Sequence, residues 1–215
     1  DKFLFAKQSF DQWSLVCLEK KSDKDMINLV SAMNQNEEIL ASDYSQTLYF
    51  EFTGGEPFMI KDQFELLKFC VDKGYAKNIG IHYNTNGTQL PNDALRNVWP
   101  HFKTVDVQFS IDGIGEQFEY QRDPAKWDRA VEILQAFKDK QSKKFTVGIC
   151  HTINIFNVMY IPEFLKWAED FGISVYLNSL HYPDYYNVKC LPYDAKRSIS
   201  KKLQNHSNPN VKTFI

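Results

Sequence analysis

Cysteine is scarce and scattered: the 215-residue chain has four, Cys17, Cys70, Cys150 and Cys190, and no two lie closer than forty positions apart. That spacing excludes a local CxxC metal or redox motif and a compact disulfide framework, and it fits an intracellular, reduced protein. No signal peptide and no apolar run long enough to span a membrane is visible in these 215 residues. Charge of one sign is lacking too. The net charge is −2, which gives no general attraction to nucleic acid or to an anionic membrane. The basic pairs Lys20-Lys21 and Lys143-Lys144 read as solvated surface. The expectation is a cytoplasmic chain with no nucleic-acid or membrane partner.

Aromatic residues are plentiful, 15% of the chain with 17 Phe and 11 Tyr, which implies large packed faces. The length suits one sizeable α/β domain, or one domain and part of another. From Thr47 onward two periodicities alternate. Runs rich in β-formers occur at Thr47–Thr53, Asn78–Tyr83, Thr104–Ile111, Phe145–Ile153 and Ile173–Leu177. Helical patterns fall between them, at Asp62–Lys73, Asn92–Val98, Lys126–Lys138 and Pro162–Phe171. In the third of these, Ala130, Ile133, Leu134 and Phe137 share one helical face. Gly74 and Gly172 stand where helix C-caps are expected, and Pro162 suits a first helical turn. Such alternation predicts parallel β/α architecture.

Residues 1–46 break the pattern. They read as a helical N-terminal segment, with helix-like stretches at Phe10–Lys20 and Asp25–Asn34 and no strand. A parallel β/α domain that opens on a helix is expected to lack its first strand.

The strands are two-faced. In Thr104–Asp112, Val105, Val107, Phe109 and Ile111 oppose Asp106, Gln108, Ser110 and Asp112, because side chains alternate with period two. Leu48, Phe50 and Phe52 likewise oppose Tyr49, Glu51 and Thr53; Ile173, Val175 and Leu177 oppose Ser174, Tyr176 and Asn178. In Thr146–Thr152 the polar or small face is Thr146, Gly148, Cys150 and Thr152. A parallel sheet covered on both sides would be apolar on both, and an ordinary eight-stranded barrel fills its interior with branched apolar residues. An antiparallel sheet with one wet face is the competing reading, and the intervening helices speak against it. The expected fold is α/β, a partial (β/α)6 TIM-like barrel with a mostly parallel, curled sheet and a polar lumen. Residues 47–182 would form it, and 183–215 would begin a C-terminal extension.

Parallel β/α folds bind ligands at the C-terminal ends of their strands. Those ends carry Thr53-Gly54-Gly55-Glu56-Pro57, Asn84-Thr85-Asn86-Gly87, Ser110-Ile111-Asp112-Gly113, Thr152-Ile153-Asn154 and Asn178-Ser179. Any one of these could be a plain strand-exit turn; five on one rim point to a site. Glu56 and Asp112 could serve there as an acid/base pair. His82, His151 and His181 fit no metal-ligand spacing, and His151 falls on the helix-facing side of its strand. Cys150 falls on the lumen side, which admits a catalytic role as a hydrogen donor beside the plain reading of a packed thiol. Tyr182, Tyr185 and Tyr186 could form an aromatic lip at the barrel mouth or a packed loop.

Three of these turns resemble the motifs of radical S-adenosylmethionine (SAM) enzymes: Gly54 to Pro57 looks like GGEP, Asn84 to Gly87 like the TNG turn, and Ser110 to Gly113 like SIDG. The resemblance covers about residues 47–180. It implies that Gly54, Gly55, Glu56 and Pro57 hold the SAM amino group, and that Asn84 and Asn86 belong to the cofactor site. It implies further that Ser110 and Asp112 face the ribose or methionine portion, that Arg122 pairs with the carboxylate, and that Thr152, Asn154 and Asn178 approach SAM or substrate. In that family a 4Fe–4S cluster donates one electron to SAM, and the resulting 5′-deoxyadenosyl radical abstracts hydrogen from substrate. The cluster is held by CxxxCxxC after the first strand. No such triplet occurs in these 215 residues, so this chain holds no cluster and the motif is expected to lie before Asp1. Leu191-Pro192 followed by the basic amphipathic stretch Tyr193–Leu203 resembles the start of a twitch or SPASM-type extension, which extends the substrate class to peptides and proteins. A SAM-binding scaffold without a cluster, and a metal-free barrel lyase or hydrolase using Glu56 and Asp112, are the competing functions.

Overall fold

The alternation from Thr47 onward is the architecture of the protein. The computed structural model describes residues 4–6, 14–19, 47–53 and 56–204. Strands β1 (Leu4–Ala6), β2 (Ser14–Glu19), β3 (Thr47–Thr53), β4 (Gly80–Thr85), β5 (Thr104–Phe109), β6 (Phe145–Ile153) and β7 (Ser174–Ser179) are hydrogen-bonded in chain order. Helix α1 (Lys61–Asp72) joins β3 to β4, α2 (Glu116–Gln121) and α3 (Trp127–Lys138) join β5 to β6, and α4 (Ile161–Phe171) joins β6 to β7. Helix α5 (Tyr193–Leu203) follows the last strand. The five strands β3–β7 form a parallel sheet that does not close, as a partial TIM-like barrel requires. Phe50 pairs with Ile81 and Phe52 with Tyr83 across β3–β4, and Gly148 to Ile153 pair with Ser174 to Ser179 across β6–β7.

Before β3 the structure departs from the expected helical segment. Ser14–Glu19, inside the stretch read as helical at Phe10–Lys20, is a strand antiparallel to β3, and β1 pairs antiparallel with it. The run Leu15-Val16-Cys17-Leu18 is a short apolar segment, and periodicity alone cannot separate a strand from a helix in such a run. The second stretch, Asp25–Asn34, lies outside the described residues.

Elsewhere the differences are local. β4 starts at Gly80 because Ala76–Asn78 forms a 3-10 turn. The helix expected over Asn92–Val98 is present, with Ala94–Val98 wound as a π turn, and is followed by a 3-10 turn containing Pro100. β7 starts at Ser174 because Ile173 N–H is still bonded to Ala168 of α4. Gly172 caps α4 with φ +71°, a conformation that L side chains adopt at a cost.

Contacts divide the chain into two compact units, residues Asp1–Gln108 with Asp139–Thr146, and Phe109–Lys138 with Val147–Ile215. In the first, Phe50, Phe52, Ile81 and Tyr83 of the strands are fully buried, as are Leu66, Leu67 and Cys70 of α1. The Tyr83 ring lies 4.9 Å from Phe52, 5.0 Å from Phe58 and 5.3 Å from Trp99. In the second, Phe109 meets Phe137 edge-on at 5.2 Å, and Ala130, Ile133, Leu134 and Phe137 are the buried face of α3, as their spacing predicts. Ile199 and Leu203 of α5 are buried with Ile153, Val158 and Ile161. Each such large apolar side chain contributes about 1.5–3 kcal/mol relative to exposure.

The one-sided polarity of the strands is also present. Val105, Val107 and Phe109 are buried while Asp106 and Gln108 are half-buried. On β6, Phe145, Val147, Ile149, His151 and Ile153 are buried, and Thr146, Cys150 and Thr152 are more open. No helix among the described residues is long and apolar enough to cross a membrane.

Candidate functional site

The turns beyond β3 and β4 are joined by one carboxylate. Glu56 is 8% exposed. Its Oε1 accepts from Phe58 N–H at 3.0 Å, its Oε2 from Asn86 N–H at 2.8 Å, and both lie 2.9 Å from the Thr85 hydroxyl. Burial pushes the Glu56 carboxyl above its ordinary value, opposed by the bonds from Asn86, Phe58 and Thr85. Thr85 Oγ1 accepts in turn from Gly87 N–H at 3.1 Å, and the Asn86 side chain accepts from Thr88 N–H at 2.9 Å and from its hydroxyl at 2.7 Å. Below the turn, Gln63 donates to Pro57 C=O and accepts from Tyr83 O–H at 2.8 Å.

Deeper on the polar face of the first unit, Asp106 gathers a second network. Its Oδ2 lies 2.8 Å from His82 Nδ1, Gln108 Nε2 donates to both its oxygens at 3.1 Å, and Thr146 O–H donates at 2.6 Å. Asn84 Nδ2 lies 3.2 Å from His82 Nε2, so Nδ1 is the protonated nitrogen that both neighbours favour. Burial works to raise the Asp106 carboxyl, but the hydrogen bonds from His82, Thr146 and Gln108 hold it below its ordinary value. Burial, with the charges of Glu51 and Asp106, pushes the Tyr49 phenol up to about 12.

In the second unit the centre is Asp112, just past β5. Its Oδ1 accepts from Thr152 N–H at 2.7 Å and its Oδ2 from Arg122. Its carbonyl accepts from Gln121 Nε2 at 3.1 Å and from Asn157 Nδ2 at 3.0 Å. Asn157, 1% exposed, also donates to Thr152 C=O at 2.9 Å and accepts from Asn154 N–H at 2.8 Å. Asn154 Nδ2 donates to Gln121 Oε1 at 3.0 Å. Gly113 sits tightly against α2: a Cβ there would lie 3.0 Å from Gln117 Cβ and 3.2 Å from the α2 backbone, closer than ordinary contact. Asp112, Gln121, Arg122 and Asn154 line a cavity of about 360 Å³ with Tyr120, Phe156, Leu180 and Tyr186. Tyr120, Phe156, Tyr186 and Tyr185 form a chain of ring contacts at 5.9, 5.3 and 4.6 Å along its edge.

The residues singled out by sequence thus fall into two groups. Glu56, Pro57 and Asn86 belong to the first cluster; Asp112, Arg122, Thr152 and Asn154 belong to the second. Gly54 and Gly55 lie outside the described residues. Asn84 points to His82 rather than to Glu56. Ser110 and Cys150 are half-buried, and burial followed by the Asp112 charge raises the Cys150 thiol above its ordinary value. Asn178 is exposed and caps its own turn at Ser179 N–H, 2.9 Å away. His151 is buried on the helix side, with Nδ1 3.0 Å from Ile111 C=O and its ring against Phe164. Among the described residues no group of three or more His, Cys, Asp or Glu could hold a metal. Sequence reasoning missed Thr85, Gln121 and Asn157. Of these, Asn157 carried a signal, an Asn-x-x-Asn pattern at a strand exit, where side chains bond to nearby backbone.

No family model matches the chain, and no curated protein matches it. Solved structures do. Native anSMEcpe with bound AdoMet is 20% identical with a TM-score of 0.56, over 77% of this chain and 45% of that one. The same protein with AdoMet and a peptide is 20% identical with a TM-score of 0.60, over 83% and 51%. Streptococcus suis SuiB bound to S-adenosylmethionine is 17% identical with a TM-score of 0.51, over 87% and 41%. At these identities the likeness is one of fold, and the chain spans about half the length of the structures it matches.

Proposed function

We propose that this chain is the SAM-holding barrel of a radical SAM enzyme, one that cleaves SAM reductively and directs the resulting 5′-deoxyadenosyl radical at a substrate hydrogen. The observation that carries the reading is the Asp112 cluster: a carboxylate and a guanidinium at the exit of a parallel strand, beside an open cavity walled by amides and aromatic rings. That donor set suits SAM. Arg122 offers a planar cation to its carboxylate, and Gln121 and Asn154 offer amides to its hydroxyls and polar edges. The AdoMet bound in anSMEcpe and SuiB supports the assignment through shared fold.

In such enzymes a 4Fe–4S cluster supplies the electron for cleavage. The described residues do not fit it, since Cys70, Cys150 and Cys190 are buried, half-buried and exposed respectively and join no ligand group. What these residues do is bind and orient SAM and shield it from water. Cys150, held as a protonated thiol, would offer a hydrogen atom rather than a thiolate. The substrate class favoured is a peptide, on the ground that anSMEcpe has been solved with one bound.

Calorimetric titration of the 215-residue protein with SAM tests the proposal. Wild type should bind, and Arg122→Ala should bind roughly ten- to a hundredfold more weakly, the loss expected for hydrogen bonds to a charged group. Equal affinity in both would remove the site.

A further inference from the structure

We infer that a cavity between the end of β7 and helix α5 is a second ligand site, one that takes a small carboxylate with an apolar body. The inference lies outside the SAM-binding reading and does not depend on it.

The cavity measures about 320 Å³, within the size range of small-molecule sites, and every residue lining it belongs to the second unit. Its floor is apolar. Ile153 and Ile199 are 1% and 4% exposed, and Leu180 and Val188, both half-buried, complete it. Ile153 sits with Ile149 and His151 on the helix side of β6, opposite Cys150 and Thr152, so this space lies away from the polar face that carries the Asp112 cluster. Leu180 is the one lining residue shared with the cavity beside Asp112.

The charged part of the lining has one sign. Lys189, Lys196 and His181 line the cavity, all three exposed, and no carboxylate does. Elsewhere in this unit Lys126, Lys166 and Lys202 pair with Glu119, Asp170 and Glu163, whereas Lys189 and Lys196 have no acidic partner among the described residues. The Lys196 ammonium donates to Lys189 C=O at 2.7 Å, which leaves it two hydrogens for a ligand. The turn that presents Lys189 is fixed by Asn187, whose side chain accepts from Lys189 N–H at 2.8 Å. On α5, Lys196, Ile199 and Ser200 share one face, so cation, apolar wall and hydroxyl come from a single helix surface. Cations without acidic partners over an apolar floor select an anionic head on an apolar body, and a carboxylate has the lone pairs to accept from both ammoniums.

Octanoate is the probe, titrated into the methyl-labelled 215-residue protein and followed by NMR. The methyl signals of Ile153, Val188 and Ile199 should shift, while those of Ile133 and Leu134 on α3 stay in place. Acetate, which lacks the body, and octylammonium, which reverses the head, should each bind at least roughly tenfold more weakly. Lys189→Glu with Lys196→Glu should weaken octanoate binding roughly five- to thirtyfold, the loss and reversal of two exposed attractions. Lys166→Glu, on α4, should match wild type. Lys189→Glu alone leaves the Lys196 bond to the backbone intact and should show part of the loss, so it decides the matter if the double variant is unfolded. No shift at the three methyls, octylammonium binding as tightly as octanoate, or an equal loss in Lys166→Glu would each overturn the inference. Octanoate bound by a protein that binds no SAM would leave this site standing and sink only the earlier reading.

Discussion

Asp112→Ala is the most informative single change in the second unit. In the wild type, the carboxylate receives Thr152 N–H at 2.7 Å and the Arg122 guanidinium, with the Asp112 side chain only 10% exposed. Alanine leaves the Thr152 N–H without an acceptor, which costs about 1–3 kcal/mol. Loss of the ion pair adds less, about 0.5–1 kcal/mol, because the guanidinium is 30% exposed and partly screened by water. The sum is roughly 2–4 kcal/mol, or on the order of 5–15 °C in Tm for a chain of this length. Asp112→Asn keeps an oxygen for Thr152 but turns an amide N–H₂ toward Arg122, so it should lose about half as much. Urea denaturation followed by tryptophan fluorescence gives the stability change, and a shift in midpoint at constant slope is the expected form. Both variants within about 0.5 kcal/mol of wild type would refute the reasoning, because a bond that size cannot be removed silently from a buried site.

Two further outcomes follow from the titrating groups. Burial holds His151 below its ordinary value of 6.5, so its contribution to stability is complete above that pH and declines as pH falls, until the folded imidazole also takes a proton. Thermal melts from pH 7.5 to 5 should therefore show a decline that is absent in His151→Leu; parallel curves for the two proteins would contradict it. Alkylation with iodoacetamide at neutral pH should label Cys190 first, Cys150 more slowly and Cys70 last, since Cys190 is exposed, Cys150 half-buried with a raised thiol, and Cys70 buried with its thiol pushed up to about 12. Mass spectrometry that found Cys70 labelled ahead of Cys150 would overturn that order.

The strands at Thr47–Thr53 and Phe145–Ile153 were legible to the residue, because each is a run of β-formers bounded by a change of period. So was the buried face of α3. The strand Ser14–Glu19 was not, because its central residues carry no period and its partner, β3, lies more than 25 residues onward in the chain. The site divided along the same line. Asp112 and Glu56 stood in motif turns, Arg122 shortly beyond one, and all three could be picked out. What could not be read was whom they bond, since Thr152 meets Asp112 across 40 residues and Asn157 across 45. Gln63 is the sharpest case: a polar residue in a helical pattern reads as solvated, yet it is fully buried between Pro57 and Tyr83.

The span of the Asp112 bracket bears on the order in which the chain assembles. Closing a loop of 40 residues costs conformational entropy before any bond repays it. The intervening helices α2 and α3 are held internally by local backbone bonds, which form early. Thr152 and Asn157 should therefore reach Asp112 only after the transition state, leaving the folding rate of Asp112 variants near that of wild type. Their instability would appear instead as faster unfolding. The bracket is then a latch, which sets how long the cavity wall lasts once built and has little to do with how fast it is built.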